Sequence, residues 1–517
     1  MIRHATDLDD GAVLDADVAV VGAGLAGIDI ARQLGRRGLC VVLLESGRLE
    51  FDQAIQNLAR ASFAGKPLRT PETHSHLSSY LPPMYRGYCR LRQFGGTTNI
   101  WTGKWRIFDP QDFQVRPWIP NSGWPLALSD LLPFYEETAR EYGFGHFEKE
   151  AAGAFFRQTR RLLAPAGLEP HLFYWEKTPT RSGTRFFQEL KGAPTVDVVL
   201  GATATAIRLT DGLDHAHAVV FRSLDRRTFT LHARYFVLSA GGLEVPRLLL
   251  ASNGQIPRGI GNARDLVGRF FMDHPKDMRG HLVPSGSFSS LSEGVRTRPR
   301  PRFGISFSLS AAAQQAASLP NHAVYVRNPV PTLFPGRTRF PIKLGIEPIP
   351  NPGSHVYLGA ERDALGMPQL VVDWRFTPRD HEALATLVPA LIGAFAEAGL
   401  GRLDFGPTPV SLDAMGDASH HMGTTRMAAD PSRGVVDSDC RIFGVDNLFV
   451  ASSSVFSTAH AYSPTFTILA IARRVASHLA NLATRAAPAA AHSLPSGDVD
   501  IVRTAPGLIQ KPAGAPE

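Results

Sequence analysis

Cysteine is scarce: Cys40, Cys89 and Cys440 are the only three in 517 residues. An odd number without metal-ligand spacing argues against a disulfide framework and a zinc site, no metal is expected, and a reducing compartment fits. Long hydrophobic runs are missing too. Stretches such as 16–23 and 248–251 fall far short of the ~18 residues a membrane span needs, so none is expected. The first residues hold one arginine, no apolar stretch before Asp9 and Asp10, and no twin arginine, so no secretory signal is expected and the chain reads as cytoplasmic. Charge of one sign is not concentrated either. The net charge of +7 is spread without a block of like charges, which gives a nucleic-acid partner little support. An anion, if bound, is better matched to a cofactor pyrophosphate or an acidic substrate group.

With 44% hydrophobic and 20% charged residues the composition is ordinary for a globular protein, and the length suits two to four domains. The β-branched run 17–21 predicts a buried parallel strand. Leu25, Ile28, Ala31 and Leu34 carry helical spacing, closed by Arg36, Arg37 and Gly38, and 40–44 predicts the next strand. Between them Gly22, Gly24 and Gly27 form GxGxxG, and Glu45 ends the second strand 23 residues after the first glycine, a spacing suited to an adenosine ribose. This βαβ unit predicts dinucleotide binding and leaves NAD and FAD both open. A strand into a glycine turn at 235–242, a helix from 245, a strand at 448–451 and a helix at 464–479 return to the same layer, so the first domain is discontinuous. Residues 272–405 change to short alternating segments with many prolines and a helix at 379–398, which predicts a second, mainly antiparallel domain.

Four motifs decide the cofactor. Arg92-Gln93-Phe94-Gly95-Gly96-Thr97-Thr98-Asn99-Ile100-Trp101, the segment 237–247, Gly268-Arg269-Phe270-Phe271-Met272-Asp273-His274-Pro275, and Ser419-His420-His421-Met422-Gly423-Thr424 stand in the order found in the glucose-methanol-choline (GMC) oxidoreductases, which this chain resembles, with pyranose oxidases and sugar dehydrogenases nearest. The resemblance implies an α/β fold with a discontinuous Rossmann-like FAD-binding domain (15–271 and 415–482), an α+β substrate domain on an antiparallel sheet (272–414), and a tail at 483–517. It implies FAD, with Gly95, Gly96, Thr97, Thr98 and Asn99 along the flavin, the backbone at Ala204 near the adenine, and Ser453 and Thr465 also binding cofactor. A bland alternative for Thr97, Thr98 and Asn99 is a loop whose side chains cap its own backbone. Ile100 stands where relatives that tether FAD carry histidine, so dissociable FAD is expected.

Flavin-dependent alcohol oxidation needs a group to accept the hydroxyl proton, and a histidine of ordinary pKa ~6.5 suits it. The family's His-x-x-Gly spacing selects His420; the alternative is a core histidine with both nitrogens satisfied. The family's second residue is a His or Asn, and ungapped alignment to Pro464-Thr465-Phe466-Thr467 puts Ser463 there. Ser463 is equally suited to capping the following helix, and His460 is the other candidate. Trp101 and Trp105 suit sugar stacking or plain packing. The expected function is oxidation of a hydroxyl of a sugar, polyol or glycoside, aminoglycosides included, with O2 or a quinone-type acceptor. The alternative is a redox-neutral lyase or decarboxylase on the same scaffold.

Overall fold

Val13–Val21 is rich in β-branched valine and buried over its second half, as suits a strand covered on both faces. In the computed structural model, which describes residues 1–69, 82–145, 153–176, 178–285, 288, 303–327 and 339–485, it sits inside an eight-stranded sheet. Val41–Glu45 and Thr228–Leu238 flank it in parallel. Val196–Leu200 and then Ile2–His4 extend the sheet past Val41–Glu45, while Leu448–Val450 runs parallel to the end of Thr228–Leu238. Ala216–Arg222 and Thr203–Leu209 close the other side as antiparallel strands. The sheet therefore begins before residue 15, where the sequence put the domain boundary.

The helix Leu25–Gly35 packs on this sheet and against the helix Thr465–Arg485. Their contact is pinned by charge: Arg473 donates through Nε and Nη2 to the buried Asp29 carboxylate, both at 3.0 Å, across 444 residues. Paired planar guanidinium and carboxylate groups fix orientation as well as distance. The two ends of the chain are thus held together beside the glycine turn.

A second sheet is antiparallel and runs Gly401–Asp404, His281–Pro284, Phe340–Ile346, His322–Val326, Phe303–Leu309, Leu168–Trp175, Lys104–Trp105, with Lys276–Asp277 also on Phe340–Ile346. The helix Pro378–Glu397, started by a Thr377/Asp380 capping box and a proline in its first turn, lays Leu384, Leu387, Leu391 and Phe395 against one face. Because strand side chains alternate, Val324, Ile342 and Leu344 meet that helix layer, whereas Tyr325, Lys343 and Gly345 face a cavity on the other side. Two strands here, Lys104–Trp105 and Leu168–Trp175, lie before the expected boundary at 271/272, so the substrate domain is discontinuous as well. Ala61–Phe63 likewise joins a small third sheet with His355–Arg362 and Pro368–Asp373. The last helix runs on to Arg485, and the rest of the expected tail lies outside the described residues. Among those residues no helix is long and apolar enough to cross a membrane.

Candidate active site

The three glycines of the first turn have separate tasks. Gly22 has φ +100°, and a Cβ there would lie 3.0 Å from the Ala240 backbone; one on Gly27 would fall on the Gly22 carbonyl; Gly24 faces open space. Two of them let backbone pack on backbone, and Gly24 keeps the approach clear. The turn opens on a cavity of about 830 Å³, a normal size for a ligand site. The first-turn amides of Leu25–Gly35 have no intrahelical acceptors and carry the helix's positive end, which suits a pyrophosphate. Ser239 Oγ, also on the cavity wall, has no hydrogen-bond partner among the described residues. These features fit FAD.

Glu45 lines the cavity, yet its carboxylate is already engaged: Oε2 accepts from Ala23 N at 2.8 Å and Oε1 from Gly47 N at 2.7 Å. Burial pushes its pKa up and those two amides pull it back. It holds the turn in shape, and each oxygen keeps a lone pair for a ribose. Gly96, Thr97, Thr98, Ile100, Ala204, Ser453 and Thr465 line the same cavity. Gly95, Asn99 and Gly27 do not. Gly95 has φ +93° and a Cβ there would meet Gly183 N at 2.8 Å. Asn99 Nδ2 donates to Phe94 O at 3.1 Å and Thr98 Oγ1 to Gly95 O at 2.6 Å, so this loop does cap its own backbone while one side of it faces the cavity.

His420 is brought to the cavity beside a residue that its own spacing does not announce. His274 Nδ1 lies 2.8 Å from His420 Nδ1, and His274 Nε2 lies 3.0 Å from Ala459 O and 2.9 Å from His460 O. Carbonyl oxygens only accept, so His274 Nε2 carries a proton. Burial lowers the His274 pKa to about 4, leaving the ring neutral and its Nδ1 an acceptor. His420 must then donate from Nδ1. Its own pKa is held well below 6.5 by burial first and then by the charges of His274, Lys343, Lys276 and His421, so its Nε2 is left as a free lone pair. Both rings are anchored by one oxygen: Asp273 Oδ1 accepts from the amides of His274 (2.7 Å), His420 (3.0 Å) and Ala418 (3.2 Å). His421 also lines the cavity, with Nε2 3.8 Å from Asp273 Oδ2 and its ring stacked on Phe271.

Of the two candidates for the second position, the structure brings only Ser463 to the cavity. The following helix starts at Thr465, one residue later than expected, and Ser463 Oγ bonds the Thr465 hydroxyl at 3.1 Å. His460 is 1% exposed and turns away. Its Nδ1 lies 2.9 Å from Asp112 Oδ2 and its ring between those of Phe108 and Tyr462. Asp109, Asp112 and His460 hold ligand atoms within 4.8 Å of one another, but Arg106 donates to both Asp109 oxygens and already supplies a cation there. Trp105 is fully buried among Trp101, Tyr142, Phe144 and Phe466; Trp101 lines the cavity while donating to Thr180 O at 2.7 Å.

A dinucleotide turn that shares one cavity with a neutral, oriented histidine defines a nucleotide-dependent oxidoreductase. Residues 350–472, which include His420 and Ser463, match the family described as GMC oxidoreductase. The chain is 24% identical to the fructose dehydrogenase large subunit of Gluconobacter japonicus, over 90% of this chain and 98% of that one, and 26% identical to paromamine 6'-oxidase of Streptomyces fradiae, over 90% and 91%. Pyridoxine 4-oxidase from Mesorbium loti has the same fold, with TM-score 0.60 and 21% identity over 89% of this chain and 98% of that one. The chain is thus similar to GMC oxidoreductases through its C-terminal part, and to sugar- and alcohol-oxidising proteins over most of its length.

Proposed function

We propose that this protein oxidises a hydroxyl of a sugar, polyol or glycoside, with His420 Nε2 as the base that takes the hydroxyl proton. FAD, when bound, accepts the hydride from the carbinol carbon. The observation that carries the reading is the fixed tautomer of His420: an imidazole kept neutral, with Nδ1–H committed to His274, has one task left for Nε2. His274 positions that base. Ser463, on the cavity wall, offers a hydroxyl to the substrate oxygen, and the positive end of the helix Thr465–Arg485 favours negative charge beside it. Gly22, Gly24, Glu45, Gly96, Thr97, Ser453 and Thr465 hold the cofactor, which is dissociable because the alkyl side chain of Ile100 offers no atom for a bond to flavin. Electrons leave to O2 or a quinone-type acceptor.

The named relatives support this substrate class: one is a fructose dehydrogenase and another oxidises paromamine, and neither favours a redox-neutral alternative. Anaerobic mixing of the holoprotein with a panel of sugars and polyols tests it. Bleaching of the oxidised flavin absorbance is expected with at least one of them. Lasting colour with every hydroxyl compound, alongside conversion of some other substrate, refutes it.

A further inference from the structure

The cavity wall formed by the second sheet carries more positive charge than its neighbours balance. Lys104, Lys343 and Lys276 come from three strands and all line the cavity, with Arg327 at its edge. The Tyr325 ring lies between two of them, with Lys343 Nζ 4.5 Å and Lys104 Nζ 4.8 Å from its centroid; Lys104 Nζ also lies 5.3 Å from the Phe173 ring. Lys276 has Asp417 and Asp273 to offset it. Lys104 and Lys343 have no ion pair among the described residues; the charges that act on Lys104 are Arg327 and Lys276, and those on Lys343 are Lys104, Lys276 and Arg327, all cations. Lys104 and Lys343 are only half-buried on the cavity wall, so their unbalanced positive charge faces the space a ligand would fill and favours an anion there.

We propose that the substrate oxidised at His420 carries an anionic group, a carboxylate or a phosphate, held by the cavity-lining cations Lys343, Lys104 and Arg327 beside Tyr325. The proposal rests on the reading of His420 as the base of a hydroxyl oxidation, and it places the anion in the same cavity as that base, since His420, Lys104 and Lys343 all line it. Burial followed by mutual repulsion lowers the lysine pKa values, that of Lys104 to about 8, and an anion among them reverses the repulsion. Tyr325 and Tyr462, which line the same cavity, offer apolar ring surface for the carbon skeleton. The same charges oppose a cationic substrate. Where a relative oxidises an aminoglycoside, this chain is expected to prefer a sugar acid or sugar phosphate.

The test compares glucose, glucosamine, glucuronate, gluconate and glucose 6-phosphate with the holoenzyme, together with Lys343→Met and Lys104→Met, residues outside the cofactor turn and the histidine pair. A charged hydrogen bond lost on each change predicts a fall on the order of 10- to 100-fold in kcat/KM for the anionic substrates, mainly through KM, with neutral glucose changed less than about threefold. Gluconate and glucuronate separate from glucose 6-phosphate whether the group is a carboxylate or a phosphate. The proposal is overturned if glucose is used as well as its anionic counterparts, or if the lysine changes affect neutral and anionic substrates alike. A turnover-independent measurement keeps it distinct from the function: calorimetric binding of the same anions at a 1:1 ratio, weakened at least tenfold in both variants. If neither this series nor the wider sugar and polyol panel bleaches the flavin while this binding is present and lysine-dependent, the oxidation reading fails and the anion site stands. Absence of such binding removes the anion site whatever the turnover.

Discussion

Removing the ring of His274 tests whether a hydrogen bond, and not mere proximity, sets the base. The 2.8 Å contact from His420 Nδ1 is its only polar side-chain partner among the described residues. In His274→Ala a buried N–H loses its acceptor, which costs about 1–3 kcal/mol, and the ring becomes free to move its proton to Nε2, where it cannot act as a base. At one decade of rate per 1.36 kcal/mol this is a fall of about 5- to 150-fold in the rate of flavin bleaching. The loss belongs to kcat, since His274 acts on the base and KM is expected to stay within about twofold. His274→Asn is the control, because its Oδ1 lies near the former Nδ1 and accepts the same proton. The assay is anaerobic stopped-flow mixing, with flavin content measured on each variant. A His274→Ala protein that keeps full flavin and bleaches within twofold of the parent refutes the tautomer argument, and so does an Asn variant no faster than Ala.

His420→Ala removes the base itself, and a loss on the order of 10²- to 10⁴-fold in kcat with flavin retained is expected; unchanged turnover would remove the assignment. The lowered His420 pKa makes it a base well below pH 6.5, so kcat/KM should stay level as pH falls from 7.5 through 6.5 and decline only below that, and a midpoint at or above 6.5 in the free enzyme contradicts it. Stability follows the same sign for His274. Its folded pKa of about 4 lies below the unfolded value, so the unfolded chain binds the proton first, and roughly 3 kcal/mol of stability is lost as pH falls from ~6.5 to ~4. Chemical denaturation at several pH values reads this, with a shallower slope expected in His274→Asn. His460→Leu removes one contact of Asp112, which keeps Asn321 Nδ2 and the Asp109 amide, and should cost about 1–3 kcal/mol of stability while the folded fraction still bleaches within a few-fold of the parent; a folded variant slowed 100-fold would return His460 to the catalytic set. Gly22→Ala adds a Cβ 3.0 Å from the Ala240 backbone at φ +100°, so loss of bound flavin is expected, measured as the ratio of flavin to protein absorbance.

Local patterning carried the first domain well. Valines in series, apolar spacing at Leu25, Ile28, Ala31 and Leu34, and glycine past the helix end act over a few residues, and the resulting strand, helix and turn lie close to where those signals put them. What joins distant segments left little local trace. Ile2–His4 is a sheet edge only because Val196–Leu200 is beside it, and Lys104–Trp105 is too short to announce itself without Leu168–Trp175. The site divides the same way. His420 was legible from its spacing to Gly423, while His274 stood in a recognised segment whose partnership spans 146 residues and is visible only in space. His460 failed as a cavity residue because its ring turns to the buried Asp112 carboxylate, whose three-dimensional neighbours no spacing rule reports. The lysines of the cavity wall come from separate strands, and no charge block marked them.

The single oxygen of Asp273 that gathers the amides of His274, Ala418 and His420 has a consequence for how this enzyme can change. It keeps proton transfer on loops tied to one another, whereas the groups that would greet a substrate, Lys104, Tyr325 and Lys343, stand on a sheet face built from other strands. Side chains on that face can be exchanged without altering the distance between the two imidazoles. Recognition and proton transfer thereby rest on different parts of the chain, and a new substrate can be acquired by repainting one wall while the hydrogen bond between the two imidazoles is kept.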